Sequence, residues 1–317
     1  MKQTYINSTE LKISEICMGT HFFGGEKKIK SNSPLDQVYK ETIYAALEGG
    51  INFFDTADIY GYGHSERILG ETLSSTLEGE KCVIATKVGR RFNGRAECND
   101  FSPKYIRNAC KDSLKRLRRE KIDIYYLHNA PSEVIGNLEV QNCLIELQRE
   151  GMVRIIGASV VDLKSAVIAI KSGLYKVIQL PYNILQQNML PPLIKIAERY
   201  NVHLICREVL ASGILSGKYS LVHKFPSSDY RSQIPRDILY AQVIATAKMR
   251  FLEKQGCRTM TQASLRFVLD HPNVTAAIIG CKNPQQLQEC LKASKQESLS
   301  VAEIRKIYEM LFLSNYN

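Results

Sequence analysis

The sequence has no two cysteines spaced as C-x-x-C and no apolar run of the ~18 residues that a membrane helix needs. Nine cysteines are spread along 317 residues with only six histidines. This spacing argues against a structural zinc site and predicts reduced thiols in a cytoplasmic protein. Lys2, Glu10, Lys12 and Glu15 interrupt the start of the chain, so no signal peptide is expected. We expect no metal and no membrane association.

The charge balance is basic, with 42 lysines and arginines against 32 acidic residues and a net charge of +10. Such a charge suits a polyanionic partner or a phosphate-rich cofactor. The densest basic run lies at residues 115–121 and follows the apolar positions of one amphipathic helix, which favours a solvated helix end. No recognition motif or aromatic platform accompanies it, so we expect no nucleic-acid partner.

The chain repeats a short apolar, β-branched run followed by a loop and an amphipathic helix. Runs of this kind are buried on both faces in parallel sheets. Eight of them indicate an α/β fold, a single (β/α)₈ TIM barrel spanning residues 1–317 as one domain, with a doubly wound sheet as the alternative. The eight runs are residues 13–18, 51–55, 82–87, 122–127, 153–158, 177–180, 202–206 and 276–279.

Helix boundaries and additions to the barrel are also predicted. Ser33-Pro34 and Ser102-Pro103 place a capping hydroxyl before a proline in the first helical turn. Gly49-Gly50 and Gly151 are helix stops. The regular alternation is interrupted by a long loop and an extra helix near residues 237–255, after strand 7, and by a C-terminal helix within residues 298–313.

Three common nucleotide and hydrolase motifs are incomplete. Residues 61–66 read Gly-Tyr-Gly-His-Ser-Glu, which ends in Glu where a dinucleotide fingerprint needs Gly. Residues 213–219 have three spacer residues where a phosphate-binding loop needs four. Gly157-Ala158-Ser159 lacks the last glycine of a hydrolase elbow.

Four polar residues lie at or just beyond successive predicted strand ends: Asp55, Tyr60, Lys87 and His128. Each alone has an ordinary structural explanation, but together they face the end of a barrel where active sites form. A buried lysine ammonium beside a tyrosine lowers the phenol pKa from its usual ~10, so Tyr60 could donate a proton. Asp55 would keep Lys87 charged, and His128 could bond a carbonyl oxygen. The set suits carbonyl reduction.

The chain resembles the aldo-keto reductase family over nearly its whole length. The most specific stretch is residues 54–61, Phe-Asp-Thr-Ala-Asp-Ile-Tyr-Gly, followed by Ser65-Glu66-Arg67 and Leu69-Gly70. Residues 85–87, 126–128, 151–157, 180–183, 215–219 and 265–269 also match the family pattern. The resemblance implies a (β/α)₈ barrel closed by an N-terminal hairpin, which binds NADPH and reduces an aldehyde or ketone, with Tyr60 as the acid.

The resemblance also implies roles for residues around the barrel mouth. Ser159 and Gln179 would hold the carboxamide, Tyr182 would stack on the nicotinamide, and Lys282 would bind the adenosine 2′-phosphate. Phe22, Tyr60 and His128 would contact a small carbonyl substrate. The cofactor residues are Gly19, Thr20, Asp55, Ser159, Gln179, Tyr182, Leu210, Ser212, Gly213, Leu215, Gly280, Lys282, Gln286 and Glu289.

Several positions depart from the family pattern. Val160 stands where Asn usually follows the serine, Gln286 where Arg is frequent, and Cys290 where Asn is usual, which leaves NADH use open beside NADPH. Residues 207–209, Arg-Glu-Val, replace Tyr-Ser-Pro and point toward bacterial reductases of sugars or small metabolites. Residues 90–101 and 224–236 would set the substrate, with Arg90, Arg91 and Arg95 as candidate anion ligands. We expect an aldose, keto-sugar or similar polar carbonyl.

Two other functions remain open from the residues alone. Lys87 could form a Schiff base in a barrel lyase, although Asp55 would hold it protonated. The barrel could also bind a nucleotide without catalysis and act as a regulatory subunit. The sequence does not indicate an oligomeric state.

Overall fold

Eight parallel strands close into a barrel in the computed structural model, which describes residues 1–6, 11–24, 33–92, 96–227 and 229–314. The barrel order is β3, β4, β5, β8, β9, β10, β11 and β12, with β12 pairing back onto β3. The strands are β1 Gln3–Tyr5, β2 Lys12–Ser14, β3 Ile16–Gly19, β4 Phe53–Asp55, β5 Val83–Val88, β6 Arg90–Phe92, β7 Glu97–Asn99, β8 Ile122–Leu127, β9 Val153–Ser159, β10 Val177–Pro181, β11 His203–Arg207 and β12 Val274–Gly280.

Helices surround the barrel and return the chain to its amino-terminal end between strands. They are α1 Pro34–Glu48, α2 His64–Leu73, α3 Leu77–Glu80, α4 Pro103–Leu117, α5 Ser132–Ile135, α6 Leu138–Arg149, α7 Leu163–Lys171, α8 Ile194–Tyr200, α9 Arg236–Lys248, α10 Met260–Leu269, α11 Pro284–Leu291 and α12 Val301–Ser314. Within the described ranges, no helix is both long and apolar enough to cross a membrane.

The barrel strands are apolar because both of their faces are covered. Every residue of β5 is buried, and most of its neighbours in β4 and β8 are buried as well. One set of side chains, including Phe53, Ala85 and Ile124, packs inside the barrel, while the alternate set packs under the helices. The closure of the sheet, with β12 paired to β3, confirms the predicted (β/α)₈ fold and excludes the doubly wound sheet.

The predicted N-terminal hairpin is formed by β1 and β2, which pair antiparallel. Ile6, Leu11 and Ile13 pack with the side chains inside the barrel. The hairpin therefore covers the end of the barrel at which the parallel strands begin. The opposite end, where the strands finish, is left to the loops that form the site.

The structure corrects some element boundaries. The predicted strand at residues 13–18 is two strands, because the chain leaves the hairpin at Glu15, whose backbone N–H donates to Lys2 O, before β3 begins. The extra helix begins at Arg236, within a residue of its predicted start, but ends at Lys248 and continues as a short 3-10 helix, Met249–Leu252. The small hairpin of β6 and β7 was not predicted.

Candidate active site

Parallel strands finishing at one end of the barrel bring the four predicted catalytic residues together. Asp55 is the last residue of β4, Lys87 lies near the end of β5, and His128 directly follows β8. Tyr60 lies in the turn between β4 and α2. The side chains of Asp55, Lys87 and His128 are each at least nine-tenths buried, so their charges act on one another with little screening by water.

Asp55 and Lys87 form a buried ion pair beneath the cavity. The Lys87 amine donates to Asp55 Oδ1 and, at 2.8 Å, to the carbonyl oxygen of Thr56. Gln179 Nε2 donates to the other carboxylate oxygen of Asp55 at 2.8 Å. Burial lowers the pKa of the Lys87 amine, but attraction to Asp55 and Tyr60 outweighs it, so the pKa is raised above its ordinary value. Lys87 is therefore a cation at neutral pH.

Tyr60 lies over this ion pair, with the Lys87 amine 5.2 Å from the centre of its ring. The His128 ring meets the Tyr60 ring edge-on, with centroids 5.8 Å apart. Burial, reinforced by the positive charges of Lys87, Arg90 and Arg207, lowers the pKa of the His128 imidazole well below its ordinary value. His128 is therefore neutral at neutral pH and keeps one N–H that can donate.

The prediction that Lys87 gives Tyr60 a pKa below its usual value is wrong in sign. Burial raises the pKa of the Tyr60 phenol, and the charge and hydrogen bond of Lys87 only partly offset that effect. The attraction of the Lys87 cation is visible in the sequence, but the cost of removing a phenolate from water is larger. Tyr60 is thus held as a neutral phenol, the protonated form that an acid must have.

A cavity of about 490 Å³ opens above these residues, a size typical of ligand sites. Its wall runs from Asp55, Tyr60 and His128 along the strand ends to the start of α11. Predicted cofactor residues that line it are Gly19, Asp55, Ser159, Gln179, Leu210, Ser212, Gly213, Gly280, Lys282, Gln286 and Glu289, and Phe22 lines it as predicted for the substrate.

The far end of the cavity carries positive charge. Lys218, Arg231 and Lys282 line it, and Lys218 also pairs with Glu289 at 2.9 Å. Lys282 lies 3.9 Å from Asp229 and over the ring of Phe22. The backbone N–H of Lys282 is bonded to Gln286 Oε1, so at this position the side chain rather than the amide is the donor available to an anion.

Three predicted cofactor residues lie away from the cavity wall. The Tyr182 ring is buried and stacks on Phe267 of α10 at 5.5 Å, so it faces the helices and cannot stack on a ring in the cavity. Leu215 is fully buried and its N–H bonds Leu210 O. Thr20 is also buried, and both its N–H and its hydroxyl bond Asp55 O. The family pattern gives the order of these residues but not the direction of each side chain.

The loop after β11 is stabilised by its own turns. The N–H groups of Ala211, Gly213 and Leu215 bond carbonyl oxygens within the loop. These three amides are therefore already bonded within the loop. Ser212 and Gly213, both at positive φ, nevertheless form part of the cavity wall.

The structure adds cavity residues that the sequence reasoning did not assign. His21 meets Tyr60 edge-on at 4.9 Å, and Asn129 Oδ1 accepts from Ser159 Oγ at 3.2 Å. Arg207 and Tyr230 also line the cavity. Asn129 could have been found because it directly follows His128, and Arg207 because it ends a predicted strand.

The predicted anion ligands in the loop after β5 are largely occupied. Arg90 pairs with Glu97 at 2.5 Å, and Arg91 pairs with Asp100 at 3.1 Å. Of these two, only Arg90 reaches the cavity wall. Arg95 lies outside the described residues. In the described part of the chain, no group of three or more His, Cys, Asp or Glu side chains is arranged to hold a metal ion.

Comparison with known proteins supplies a family match. The model of the aldo/keto reductase family matches residues 15–311. The aldo-keto reductase yakc of Schizosaccharomyces pombe, named for NADP(+), is 28% identical over 314 residues, covering 96% of this chain and 89% of that protein. The NADH-specific methylglyoxal reductase of Escherichia coli is 27% identical over 326 residues, covering 98% of both.

A solved structure has the same fold. The glycerol dehydrogenase of Gluconobacter oxydans superposes with a TM-score of 0.86 at 28% identity, over 98% of this chain and 94% of that one. The superposition covers the barrel together with its added helices.

Proposed function

The chain belongs to the aldo/keto reductase family, and on that premise we propose that it is an NADPH-dependent enzyme that reduces an aldehyde or ketone to the alcohol. The observation that carries the proposal is the meeting of Asp55, Tyr60, Lys87 and His128 at one end of a cavity whose other end is positively charged. Neither a Schiff-base lyase nor a non-catalytic barrel is favoured, because Asp55 holds Lys87 as a cation and the phenol of Tyr60 and the imidazole of His128 both line the cavity.

The roles follow from the protonation states of the residues. A bound nicotinamide cofactor supplies the hydride. Neutral His128 donates a hydrogen bond to the substrate carbonyl oxygen and orients it. Tyr60, a neutral phenol, donates its proton to that oxygen as negative charge develops there. Lys87 stabilises the phenolate left behind, and Asp55 holds Lys87 in place.

The described residues fit a nicotinamide dinucleotide. Ser159 and Gln179 present an adjacent hydroxyl and amide in the middle of the cavity, 3.2 Å apart, and can hold a carboxamide. Lys218, Arg231 and Lys282 at the far end suit phosphates. We assign NADPH rather than NADH because the Lys282 side chain is half exposed and its ion pair with Asp229 is long, at 3.9 Å, so the amine can reach a 2′-phosphate. The names of the two relatives point to different cofactors, so this assignment has its own test.

The cofactor assignment is tested by titrating the protein with NADPH and with NADH by fluorescence, for the wild type and for Lys282→Ala. We expect the wild type to bind NADPH more tightly and the variant to lose most of that preference, because only NADPH carries the 2′-phosphate. An unchanged ratio of the two dissociation constants would show that Lys282 does not bind that group.

We propose a small polar carbonyl as the substrate, of the aldose, keto-sugar or similar class. The polar residues at the catalytic end of the cavity, among them His128, Asn129 and Arg207, support this. The small polar substrates in the names of the methylglyoxal reductase and glycerol dehydrogenase relatives support it as well. The cytoplasm is the proposed compartment, which the nine free thiols suit.

The activity is tested by following NADPH oxidation with a panel of carbonyl compounds, from short aldehydes and sugars to large hydrophobic ketones. We expect turnover with small polar carbonyls and none without a carbonyl. Turnover restricted to the large hydrophobic ketones would contradict the substrate class, and no turnover with any member would contradict the proposed function.

A further inference from the structure

Arg207, the last residue of β11, projects into the wall of the cavity. Its Nη2 donates to Val160 O at 3.1 Å and to Asn129 Oδ1 at 3.4 Å. Its Nε is buried and has no hydrogen-bond partner among the described residues. The guanidinium is therefore fixed by two neutral acceptors and keeps part of its bonding capacity unused.

Within the part of the chain that the structure describes, Arg207 forms no ion pair, although the charges of Glu208 and Asp55 attract it from a greater distance. In the described ranges, other cations at or under the cavity form ion pairs, while Arg207 forms none. These pairs are Lys87–Asp55, Arg90–Glu97, Lys218–Glu289, Arg231–Asp229 and Lys282–Asp229. The neighbouring Glu208 is exposed, and its carboxylate accepts from Ser212 instead. Burial lowers the pKa of the Arg207 guanidinium, and attraction to Glu208, Tyr60 and Asp55 opposes that effect. A guanidinium remains protonated at neutral pH, so Arg207 places a positive charge in this part of the wall without an ion-pair partner among the described residues.

That charge acts on the catalytic end of the cavity. The positive charge of Arg207 acts to lower the pKa of both the Tyr60 phenol and the His128 imidazole. A hydride donor must approach the substrate carbonyl carbon to about 3–3.5 Å, while Tyr60 and His128 hold the carbonyl oxygen. The nicotinamide ring must then lie close to Tyr60 and His128, where the charge of Arg207 acts.

The nicotinamide ring changes its charge during hydride transfer. It is neutral in the reduced cofactor and carries a positive charge after hydride has left. In a poorly hydrated cavity two like charges repel strongly, whereas a guanidinium beside a neutral ring pays no such penalty.

We propose that Arg207 makes the protein bind the reduced nicotinamide cofactor more tightly than the oxidised one, by repelling the positive charge of the oxidised ring. The proposal rests on the proposed function, since it requires a nicotinamide in this cavity. Its consequence is that spent cofactor leaves more easily than fresh cofactor, which favours use of the enzyme in the direction of carbonyl reduction.

The test is a ratio of dissociation constants, that for NADP⁺ divided by that for NADPH, measured by titration calorimetry without substrate. The two ligands share every group except the nicotinamide ring state, so general damage to the site cancels in the ratio. We expect the ratio to fall roughly tenfold in Arg207→Gln, which corresponds to about 1.4 kcal/mol. Arg207→Met, a second neutral variant, should show the same fall.

Two control variants separate charge from shape. Arg207→Lys keeps the positive charge and should keep a ratio near that of the wild type. Arg90→Gln removes a cation whose side chain is 36% exposed at the edge of the cavity, where water screens it, and should change the ratio much less than Arg207→Gln.

The outcomes distinguish the inference from the proposed function. An unchanged ratio in both neutral variants, with both cofactors still bound, overturns the role of Arg207 and leaves the reductase proposal standing. If those variants instead lose affinity only for carboxylate-bearing carbonyl substrates, Arg207 binds substrate and the inference is wrong. If the wild type binds neither cofactor, the proposed function fails and the inference with it.

Discussion

At the scale of single residues, the buried ion pair of Asp55 and Lys87 contributes to the stability of the barrel. Removing one partner leaves the other as an uncompensated charge inside the barrel, which typically costs about 3–5 kcal/mol. We predict that Lys87→Met lowers the free energy of unfolding by that amount, because the remaining partner of the Asp55 carboxylate is the neutral amide of Gln179. Urea unfolding measures the change.

The double variant Asp55→Asn/Lys87→Met is the matched control. Without either charge, the penalty of an unpaired carboxylate disappears, so the double variant should be more stable than Lys87→Met alone. If adding Asp55→Asn to Lys87→Met brought no recovery, the instability would come from lost packing and the account of the ion pair would be wrong.

Asp58 predicts a pH dependence of stability. Burial, reinforced by Glu66, raises the pKa of the Asp58 carboxyl to about 7, and its Oδ1 is buried without a partner in the described structure. An unfolded aspartate titrates near ~3.9, so between that value and about 7 the folded chain holds a proton that the unfolded chain has released. The stability that this proton provides is present at low pH and is lost as the pH rises through the window.

Asp58→Asn cannot ionise and should escape that loss. We expect its free energy of unfolding, relative to the wild type, to rise with pH by at most about 1.4 kcal/mol per unit across the window. Urea unfolding in a pH series tests this, with the exposed Asp112→Asn as the control that should follow the wild type. Parallel curves for Asp58→Asn and the wild type would rule the effect out.

At the scale of elements, two helix starts that look alike in sequence differ in structure. Ser102 caps α4, because its hydroxyl oxygen accepts from the N–H of Tyr105. Ser33 stands in the same Ser-Pro pattern before α1 but makes no capping bond, and its hydroxyl donates to Asp36 instead. The pattern predicts where a helix begins, but the rotamer of the serine depends on the acceptor that the following turn offers.

This difference predicts unequal costs for the same substitution. Ser102→Ala should lower the free energy of unfolding by roughly 1 kcal/mol through loss of the cap, and Ser33→Ala by only a few tenths. Equal losses in the two variants, measured by urea unfolding, would contradict the assignment of the cap.

The basic run at residues 115–121 shows that the sequence of a helix does not predict the partners of its charged side chains. Helical periodicity predicted α4 correctly, but the run is not simply a solvated end. Arg116 bonds the fully buried Glu66 at 2.7 Å, and Arg119 bonds the backbone of the α3 turn. Periodicity identifies the apolar face of a helix, whereas the partners of its charged face depend on which helix packs beside it. Glu66, prominent in the family pattern, therefore has a structural role here.

At the scale of the whole molecule, the barrel explains why so much of the site could be predicted. Eight apolar runs identified the fold, and the fold places every strand end at one face, so Asp55, Lys87 and His128 had to meet. Gln179 is 124 residues from Asp55 in the chain and still bonds it. The direction of the Tyr182 side chain, which directly follows β10, could not be predicted, because sequence does not tell which way a side chain turns where a strand ends.

The sign of the Tyr60 pKa could not be predicted for a related reason. The neighbouring cation is visible in the sequence, but the burial that opposes it is a property of the closed barrel, its helices and its loops together. The same limit applies to Arg207, because its lack of an ion pair among the described residues becomes evident only when the whole cavity is assembled.

The central claim is that Tyr60 gives its proton to the reduced carbonyl, and one measurement tests it most directly: the single-turnover rate of hydride transfer from bound NADPH in Tyr60→Phe. General acids of this kind contribute roughly 10²- to 10⁴-fold, so we predict a fall in that range while the dissociation constant of NADPH stays close to that of the wild type. A variant that binds NADPH normally and transfers hydride at the wild-type rate would contradict the account.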